Sequence, residues 1–391
     1  MPRSIRLIAA VLISLILAAG VATAAAAGAS PSAAGPAASG GPHLDRATDN
    51  KISQIVMAAM RASHIPGMAV GVWVPGGRYV RAFGTSDTAT GAPFSAADHV
   101  RIASITKTFT ATVILQLVDQ HRLQLSSRLS QYVAGIPNGA TITVKELLNM
   151  TAGVYNFTED PAFLKNYLAD PTMPFGPADA IAIIKRHEPS FPPGTGVEYS
   201  DSNYVLLQLI AEKVTHAPLG RLIQQWVLDP LGLDQTSYPT TPAMPAPFAR
   251  GYFQPETSSP ALRDVTLSNP DGAGGAGAMI STLSDLKTWA KALATGTLLT
   301  PGTQRERLQT VPLAPPGKIT LRYGLGILDL NGFLGHNGAI LGYGTAAFYL
   351  PGAHATFVVE GNNNDLVSTV PLMVFAQIAD LLYPQQFPHG L

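Results

Sequence analysis

Apolar residues recur at helical spacing over Ile52 to Arg61, and Ile65-Pro66-Gly67 supplies the turn that follows. Two alternating runs come next, Met68 to Val74 and Tyr79 to Phe83, with Pro75-Gly76-Gly77 between them as a hairpin signal. Another helix begins near Ser104 and reaches about His121. Its body carries Val113, Ile114, Leu115, Leu117 and Val118, which predicts a buried central helix. From Leu125 to about Pro270 helices and loops dominate: Val144 to Leu148, Ala178 to Lys185 and Tyr204 to Lys213 read as helical, and Pro239 to Pro247 as a loop. The glycine-rich stretch Asp271 to Gly277 precedes a helix over Leu283 to Leu293. Strand patterns return at Leu325 to Leu330, Thr345 to Leu350 and Thr356 to Val359, before a last helix over Val370 to Leu382. Strands at both ends of a mostly helical middle predict an α/β (α+β) chain with one sheet built from both termini and flanked by helices. Residues 44–110 and 271–391 are assigned to the sheet-containing part and 111–270 to the helical part. Ser104 falls at the seam, and clefts between domains favour active sites.

Composition narrows the class. The 391 residues are 46% hydrophobic and only 13% charged, with 37 glycines and 32 prolines. Twenty-five basic residues balance 25 acidic ones, so no long-range attraction to nucleic acid is expected. Met1 to Arg6 is basic, Leu7 to Ala19 apolar, and Ala22-Thr23-Ala24 offers small residues for cleavage. Residues 1–24 are therefore expected to be a signal peptide, and the protein to be secreted and extracellular. An uncleaved anchor is the alternative, disfavoured because alanines replace the large apolar residues after Leu17, so no stable membrane anchor is expected after cleavage. Residues 25–43, rich in Ala, Gly, Ser and Pro, are expected to be a disordered linker. There is no cysteine, hence neither a disulfide nor a lipid-bearing N-terminal cysteine.

Candidate chemistry starts at Ser104-Ile105-Thr106-Lys107. A serine three residues before a lysine shares its helix face, so Oγ and Nζ can meet. A serine hydroxyl needs a neighbour to take its proton, and a lysine does so only when neutral, through burial or an adjacent positive charge. The spacing alone is weak: Ser284-Asp285-Leu286-Lys287 repeats it, and there Thr282 or Ser284 reads as a helix cap. Two further segments add weight. In Pro193 to Tyr204 a Gly/Pro loop presents Tyr199, Ser200, Asp201 and Ser202 ahead of an apolar helix. Capping by Ser200, Asp201 or Ser202 explains the polar residues; a proton-carrying Tyr199, its hydroxyl polarised or its pKa lowered by a buried lysine, is the functional reading. In Gly335-His336-Asn337-Gly338-Ala339, set between strand patterns, His336 could be merely packed. The glycines weaken a strand and make sense if a substrate must come close at Gly338. The Ala339 N–H could then join the Ser104 N–H as an oxyanion hole.

Ser104–Lys107, Tyr199-Ser200-Asp201 and His336-Asn337-Gly338 together resemble the three ordered motifs of the serine β-lactamase and penicillin-binding-protein superfamily: Ser-x-x-Lys, Tyr-x-Asn and Lys/His-x-Gly. The intervals are similar to those of class C β-lactamases and secreted D-Ala-D-Ala carboxypeptidases. Arg101 to Ser104, Leu147 to Gly153, Gly274 to Ser281 and Tyr323 to Gly326 fit the same family. The resemblance implies an antiparallel sheet flanked by helices with a helical insert. It implies that Ser104 attacks a carbonyl, that Lys107 and Tyr199 manage the proton, and that His336 supports tyrosine and substrate from the opposite wall. Ser104 and Ala339 form the oxyanion hole, Asp201, Asn337 and Gly338 bind substrate, and neither metal nor cofactor is required. Three departures bear on the substrate. Asp201 replaces the usual asparagine and can only accept when ionised. His336 replaces lysine. No arginine or lysine lies between Tyr323 and Gly352 to meet a terminal carboxylate, with Arg322 at the edge of that region as a candidate. The expected function is a D-Ala-D-Ala carboxypeptidase-type serine hydrolase acting as a monomer on a peptide or small molecule, a cell-wall peptide, a related D-amino-acid amide or a β-lactam. An esterase or weak β-lactamase of the same fold is the alternative, and a non-catalytic penicillin- or peptidoglycan-binding protein the one from another class. No Gly-x-Ser-x-Gly elbow supports an α/β-hydrolase.

Overall fold

The computed structural model describes residues 42–255, 261–315, 317, 319–364, 366 and 369–388. The expected signal peptide and all but the last two residues of the expected linker lie outside the described residues. The first described helix is α1 (Arg46–Ala62), capped by Asp45, whose carboxylate accepts from the Ala47 and Thr48 amides. The hairpin β1 (Gly67–Val74) and β2 (Gly77–Asp87) follows, then the short β3 (Ala92–Pro93) and β4 (Val100–Arg101). The central helix is α2 (Thr106–Asp119). The middle of the chain supplies α3 (Val144–Leu148), α4 (Pro161–Ala169), α5 (Pro177–Arg186), α6 (Asp201–Thr215) and α7 (Leu219–Ile223). Short strands β5 (Tyr252–Phe253), β6 (Arg263–Asp264) and β7 (Ile280–Ser281) lead to α8 (Leu283–Thr295) and α9 (Pro301–Arg307). The last third holds β8 (Val311–Pro312), β9 (Leu321–Tyr323), β10 (Leu328–Leu330), β11 (Phe333–Ile340), β12 (Tyr343–Leu350), β13 (Ala355–Gly361) and α10 (Val370–Leu382).

Among the described residues nine strands form one antiparallel sheet in the order β3-β2-β1-β13-β12-β11-β10-β9-β8. Both termini therefore feed one sheet, joined where Val72 of β1 faces Phe357 of β13. Helices α1 and α10 cover one face and α8 the other. With both faces covered, every residue of β12 is buried, so Tyr343 to Leu350 reads as a continuous run rather than an alternation. Phe333, Phe348, Phe357 and Phe375 pack around α10, with the Phe348 and Phe375 rings 4.4 Å apart. Each such buried ring contributes about 1.5–3 kcal/mol relative to exposure.

Helix α2 lies between the sheet side and the helical insert, which explains why its sequence is apolar on several sides. Its threonines need partners because they are buried too. Thr108 donates to Ile105 O and accepts from Trp289 Nε1 at 2.7 Å, while Thr110 donates to Gly275 O. The Trp289 ring stacks on Phe109 at 4.0 Å. These bonds pin the helix that carries the candidate nucleophile.

Two local expectations differ from the structure. The expected strand at Leu325 to Leu330 is a strand only from Leu328, because Gly326 takes a left-handed turn (φ +75°) against Ala111 and Tyr204. The segment Gly335 to Ala339 does not lie between strands but within β11, since it pairs along β12 from Gly335–Phe348 to Ala339–Gly344.

Candidate active site

Ser104 sits in a single 3-10 turn, Ala103–Ile105, that runs directly into α2. Ala103 holds a left-handed backbone (φ +48°), which a residue with a side chain keeps only where its surroundings enforce it. Strand β11 is that surrounding. A Cβ on Gly338 would lie 2.3 Å from the Ile102 carbonyl oxygen, 2.6 Å from Thr345 Oγ1 and 3.0 Å from Ala103 Cβ. The space expected at Gly338 for an approaching substrate is thus taken by the nucleophile's own turn, and Gly338 seats Ser104 rather than touching the cavity.

Lys107, the second residue of α2, is fully buried. Its Nζ lies 2.9 Å from Ser104 Oγ, 2.6 Å from Asp201 Oδ1 and 2.9 Å from the Ala276 carbonyl oxygen. Three acceptors meet the three protons of the ammonium group. Burial pulls the lysine pKa down, while the Asp201 charge opposes that shift. The Ala276 carbonyl comes from the glycine-rich stretch noted in the sequence, and that stretch is glycine-rich for packing reasons: a Cβ on Gly275 would meet the Tyr204 carbonyl at 2.9 Å.

Tyr199 packs its ring 4.9 Å from Lys107 Nζ and its hydroxyl interacts with the Ser104 side chain. Burial first and the Asp201 charge second hold this phenol well above its usual pKa. The phenol is therefore neutral, and its shift runs upward rather than downward because burial outweighs the other influences on it. Asp201 begins α6, where its N–H donates to Asn156 Oδ1 at 3.1 Å and its Oδ2 accepts from Thr158 at 3.3 Å. Ser200 is the N-cap residue but makes no side-chain capping bond, so capping does not account for the segment.

The His336 ring lies beside that of Tyr199, with the centroids 6.2 Å apart. One ring nitrogen, Nδ1, faces the Asn337 carbonyl, which can only accept, so Nδ1 carries the proton. Nε2 then accepts from Tyr323, 3.1 Å away. Tyr204 gives its own proton to the Leu148 carbonyl at 2.9 Å and can only accept from Tyr323, 3.4 Å away, so the Tyr323 proton faces the closer histidine nitrogen and, at longer range, Tyr204. Burial, and after it Lys107, lower the imidazole to about 3, so it is neutral. Tyr323 thus belongs to the site although sequence reasoning gave it no role; its place in Tyr323 to Gly326 was the available signal.

A cavity of about 460 Å³ opens over Ser104, and Tyr199, Asp201, Asn337 and Ala339 also line it. Strand β10 pairs with β11 only as far as Gly335. Beyond it Asn337, Ala339 and Ile340 of β11 line the cavity. The opposite wall is apolar and comes from Phe157 and from Phe163, Leu164, Tyr167 and Leu168 of α4. Pro161 and the Asp160 cap start that helix, and His187 holds Asp160 from behind at 3.0 Å. Phe157 is tied to α6 through Ser202, whose hydroxyl accepts from the Phe157 N–H and donates to the Tyr155 carbonyl. Sequence reasoning missed this wall because its residues act as a group only once α4 is folded against α6. Glu159 and Glu198 join Asp201 at the cavity. Burial and then Glu198 raise the Glu159 carboxyl above its usual range. No arginine or lysine is among the described residues lining the cavity. Arg322, the candidate cation, turns instead to Thr310, with Nε 2.6 Å from its hydroxyl and NH2 2.6 Å from its carbonyl.

A family model described as Beta-lactamase matches residues 52–371. The chain belongs to the beta-lactamase family. Within it, the chain is 32% identical to a D-stereospecific amidohydrolase from Streptomyces sp., whose crystal structure it matches with a TM-score of 0.75 over 84% of this chain and 98% of that one. It shares the fold of D-amino acid amidase from Ochrobactrum anthropi SV3, at 24% identity and a TM-score of 0.74, over 86% and 99% of the two chains. Protein flp of Staphylococcus aureus (strain COL) is 29% identical over 257 residues, 63% of this chain and 49% of that protein. The chain spans about half the length of that curated relative. The fold is that of the serine β-lactamase and penicillin-binding-type hydrolases.

Proposed function

We propose that this chain is an exported serine amidohydrolase that acts through a Ser104 acyl-enzyme on amides or short peptides of apolar D-amino acids bearing a free amino group. The observation that carries this reading is the character of the cavity: an apolar wall beside Ser104, the carboxyl groups of Glu159, Glu198 and Lys107-paired Asp201, and no lining cation among the described residues. An α-ammonium group finds acceptors there, whereas a terminal carboxylate finds like charge. A D-Ala-D-Ala carboxypeptidase recognises such a carboxylate, so that finer reading has less support. The D-stereochemistry rests on similarity to the Streptomyces protein named as a D-stereospecific amidohydrolase. Export rests on the sequence of residues 1–24.

In the proposed reaction the Ser104 oxygen bonds to the substrate carbonyl carbon as Lys107 takes its proton. The Ser104 and Ala339 N–H groups hold the oxyanion. Neutral Tyr199, beside Ser104, passes a proton to the departing amine, and water then frees the acyl group. The test is a panel of D- and L-phenylalanine amide, a peptide ending in D-Ala-D-Ala, a chromogenic cephalosporin and a nitrophenyl ester, with Ser104→Ala as control. Preferred turnover of the D-amide, lost in Ser104→Ala, is expected. Carboxypeptidase turnover without amide turnover overturns the substrate reading, and activity surviving in Ser104→Ala overturns the nucleophile.

A further inference from the structure

We propose that Asp201 is a positioning residue that stores the lysine proton, so that Lys107 becomes a base for Ser104 without releasing a proton to solvent. The inference rests on the reading of Ser104 as nucleophile and concerns the residue where this chain departs from its family's usual asparagine. Lys107 cannot deprotonate Ser104 while all three of its protons are committed to Ser104 Oγ, Asp201 Oδ1 and Ala276 O. An asparagine in this place could accept a hydrogen bond but no proton, and the lysine would have to lose its charge to bulk water. A carboxylate at 2.6 Å from a fully buried amine can take the proton itself. Burial of the amine favours that exchange, because Lys107 has no exposed surface on which to keep its charge, while Asp201 keeps 24% of its side chain exposed at the cavity.

The geometry also provides a place for the stored proton. Asp201 Oδ2 lies 3.3 Å from the Thr158 hydroxyl, which can accept as well as donate. With the acid proton on Oδ2 directed at Thr158, Oδ1 remains an acceptor for the amine. The amine then turns about its Cε–Nζ bond, keeps N–H bonds to Asp201 and Ala276, and presents its lone pair to Ser104. In acylation the Oγ–H bond breaks, its proton goes to Nζ, and the Oγ lone pair forms the bond to the acyl carbon. The resulting ammonium faces the oxyanion with Asp201 still neutral. Lysine passes a proton on, through Tyr199, to the leaving group, and the pair returns to its starting charge.

The other titratable groups facing the pair are Tyr199, Tyr204, Tyr323, His336 and Glu159, with Glu198 beyond Glu159. Burial holds the phenols up and the imidazole down, so Glu159 is the neighbour to control for.

The experiment measures the rate at which an uncharged alkyl fluorophosphonate labels Ser104 in the full chain, between about pH 5 and 9. Labelling forms an Oγ–P bond, expels fluoride and needs no knowledge of the natural substrate. Wild type is expected to be flat across the neutral range. Asp201→Asn is expected to lose about tenfold in rate per pH unit below an acid limb displaced upward, and to approach wild type at the alkaline end. The same displacement is expected in a Glu159→Gln background. Thr158→Val, which removes the seat of the stored proton, is expected to raise the limb partway and decides the matter if Asp201→Asn does not fold. A limb that moves downward in Asp201→Asn means the carboxylate only locks the lysine in its charged form, and overturns the proposal. So does a uniform loss at every pH, or an unmoved limb in Thr158→Val where that variant decides. Absence of Ser104 labelling in wild type overturns the nucleophile reading itself, a result distinct from any of these.

Discussion

Replacing Gly338 by alanine tests how the nucleophile is held. The added Cβ would sit 2.3 Å from the Ile102 carbonyl oxygen, about 1 Å inside ordinary carbon–oxygen contact. Neither partner is a flexible side-chain end. Ile102 O is backbone two residues before Ser104, and Ala103 Cβ, at 3.0 Å, belongs to the residue just before it. Thr345 Oγ1 at 2.6 Å could rotate away, but it would then lose its own bond to Ile102 O at 3.1 Å. The strain therefore moves the turn, β11, or both, by roughly 1 Å, and a reacting group displaced by that much loses about 100-fold in rate. Overpacking of this kind also costs about 1–3 kcal/mol of stability. Fluorophosphonate labelling of Ser104 and thermal melting, compared with wild type, read the two effects separately. Gly352→Ala is the control, since a Cβ there meets nothing within 4 Å. Wild-type labelling with an unchanged melting temperature in Gly338→Ala would refute the claim that the glycine is required to seat the turn.

Two further perturbations concern buried titratable groups. His336 has a folded pKa of about 3, below its usual 6.5, so between those values the unfolded chain binds the extra proton and stability falls as pH drops through the window. His336→Gln is expected to flatten that fall, seen as a shallower dependence of melting temperature on pH below about 6.5; an unchanged slope would count against a neutral, buried imidazole. Glu360 in β13 is fully buried, and neither carboxyl oxygen has a hydrogen-bond partner among the described residues; burial first, and Asp98 second, hold its pKa well above the usual range. The folded state keeps the proton that the unfolded state releases, so the group's contribution is full at low pH and declines as pH rises above its usual value. Glu360→Met is expected to stabilise the protein by about 1–3 kcal/mol near neutrality and less in acid. Denaturant melts at the two pH values check it, and destabilisation at neutral pH would show that the carboxyl has a partner.

Much of the fold and the order of the site were legible because they depend on local pattern. The 3.6-residue period fixed the final helix at Val370–Leu382, and Ser104–Lys107 needs only one helical turn to bring its two groups together. What escaped the sequence depends on approach between distant segments. Gly338 signals a close contact, but only the packed sheet shows that Ile102 makes it. His336 signals a buried polar group, yet its partner Tyr323 lies on β9, two strands away, and the tautomer follows from the Asn337 carbonyl. Asp201 is the most instructive residue. As a letter it differs from asparagine only in what it can donate, which suggested a substrate contact. Its 2.6 Å approach to a fully buried Lys107 shifts the consequence to the proton that lysine must lose. Desolvation of the amine is the physical reason: a lysine at the surface keeps its charge, whereas this one has no exposed surface and its partner sits at the edge of the cavity. One substitution thereby bears on the base and, through the carboxyl oxygens it places at the cavity, on which substrates can enter.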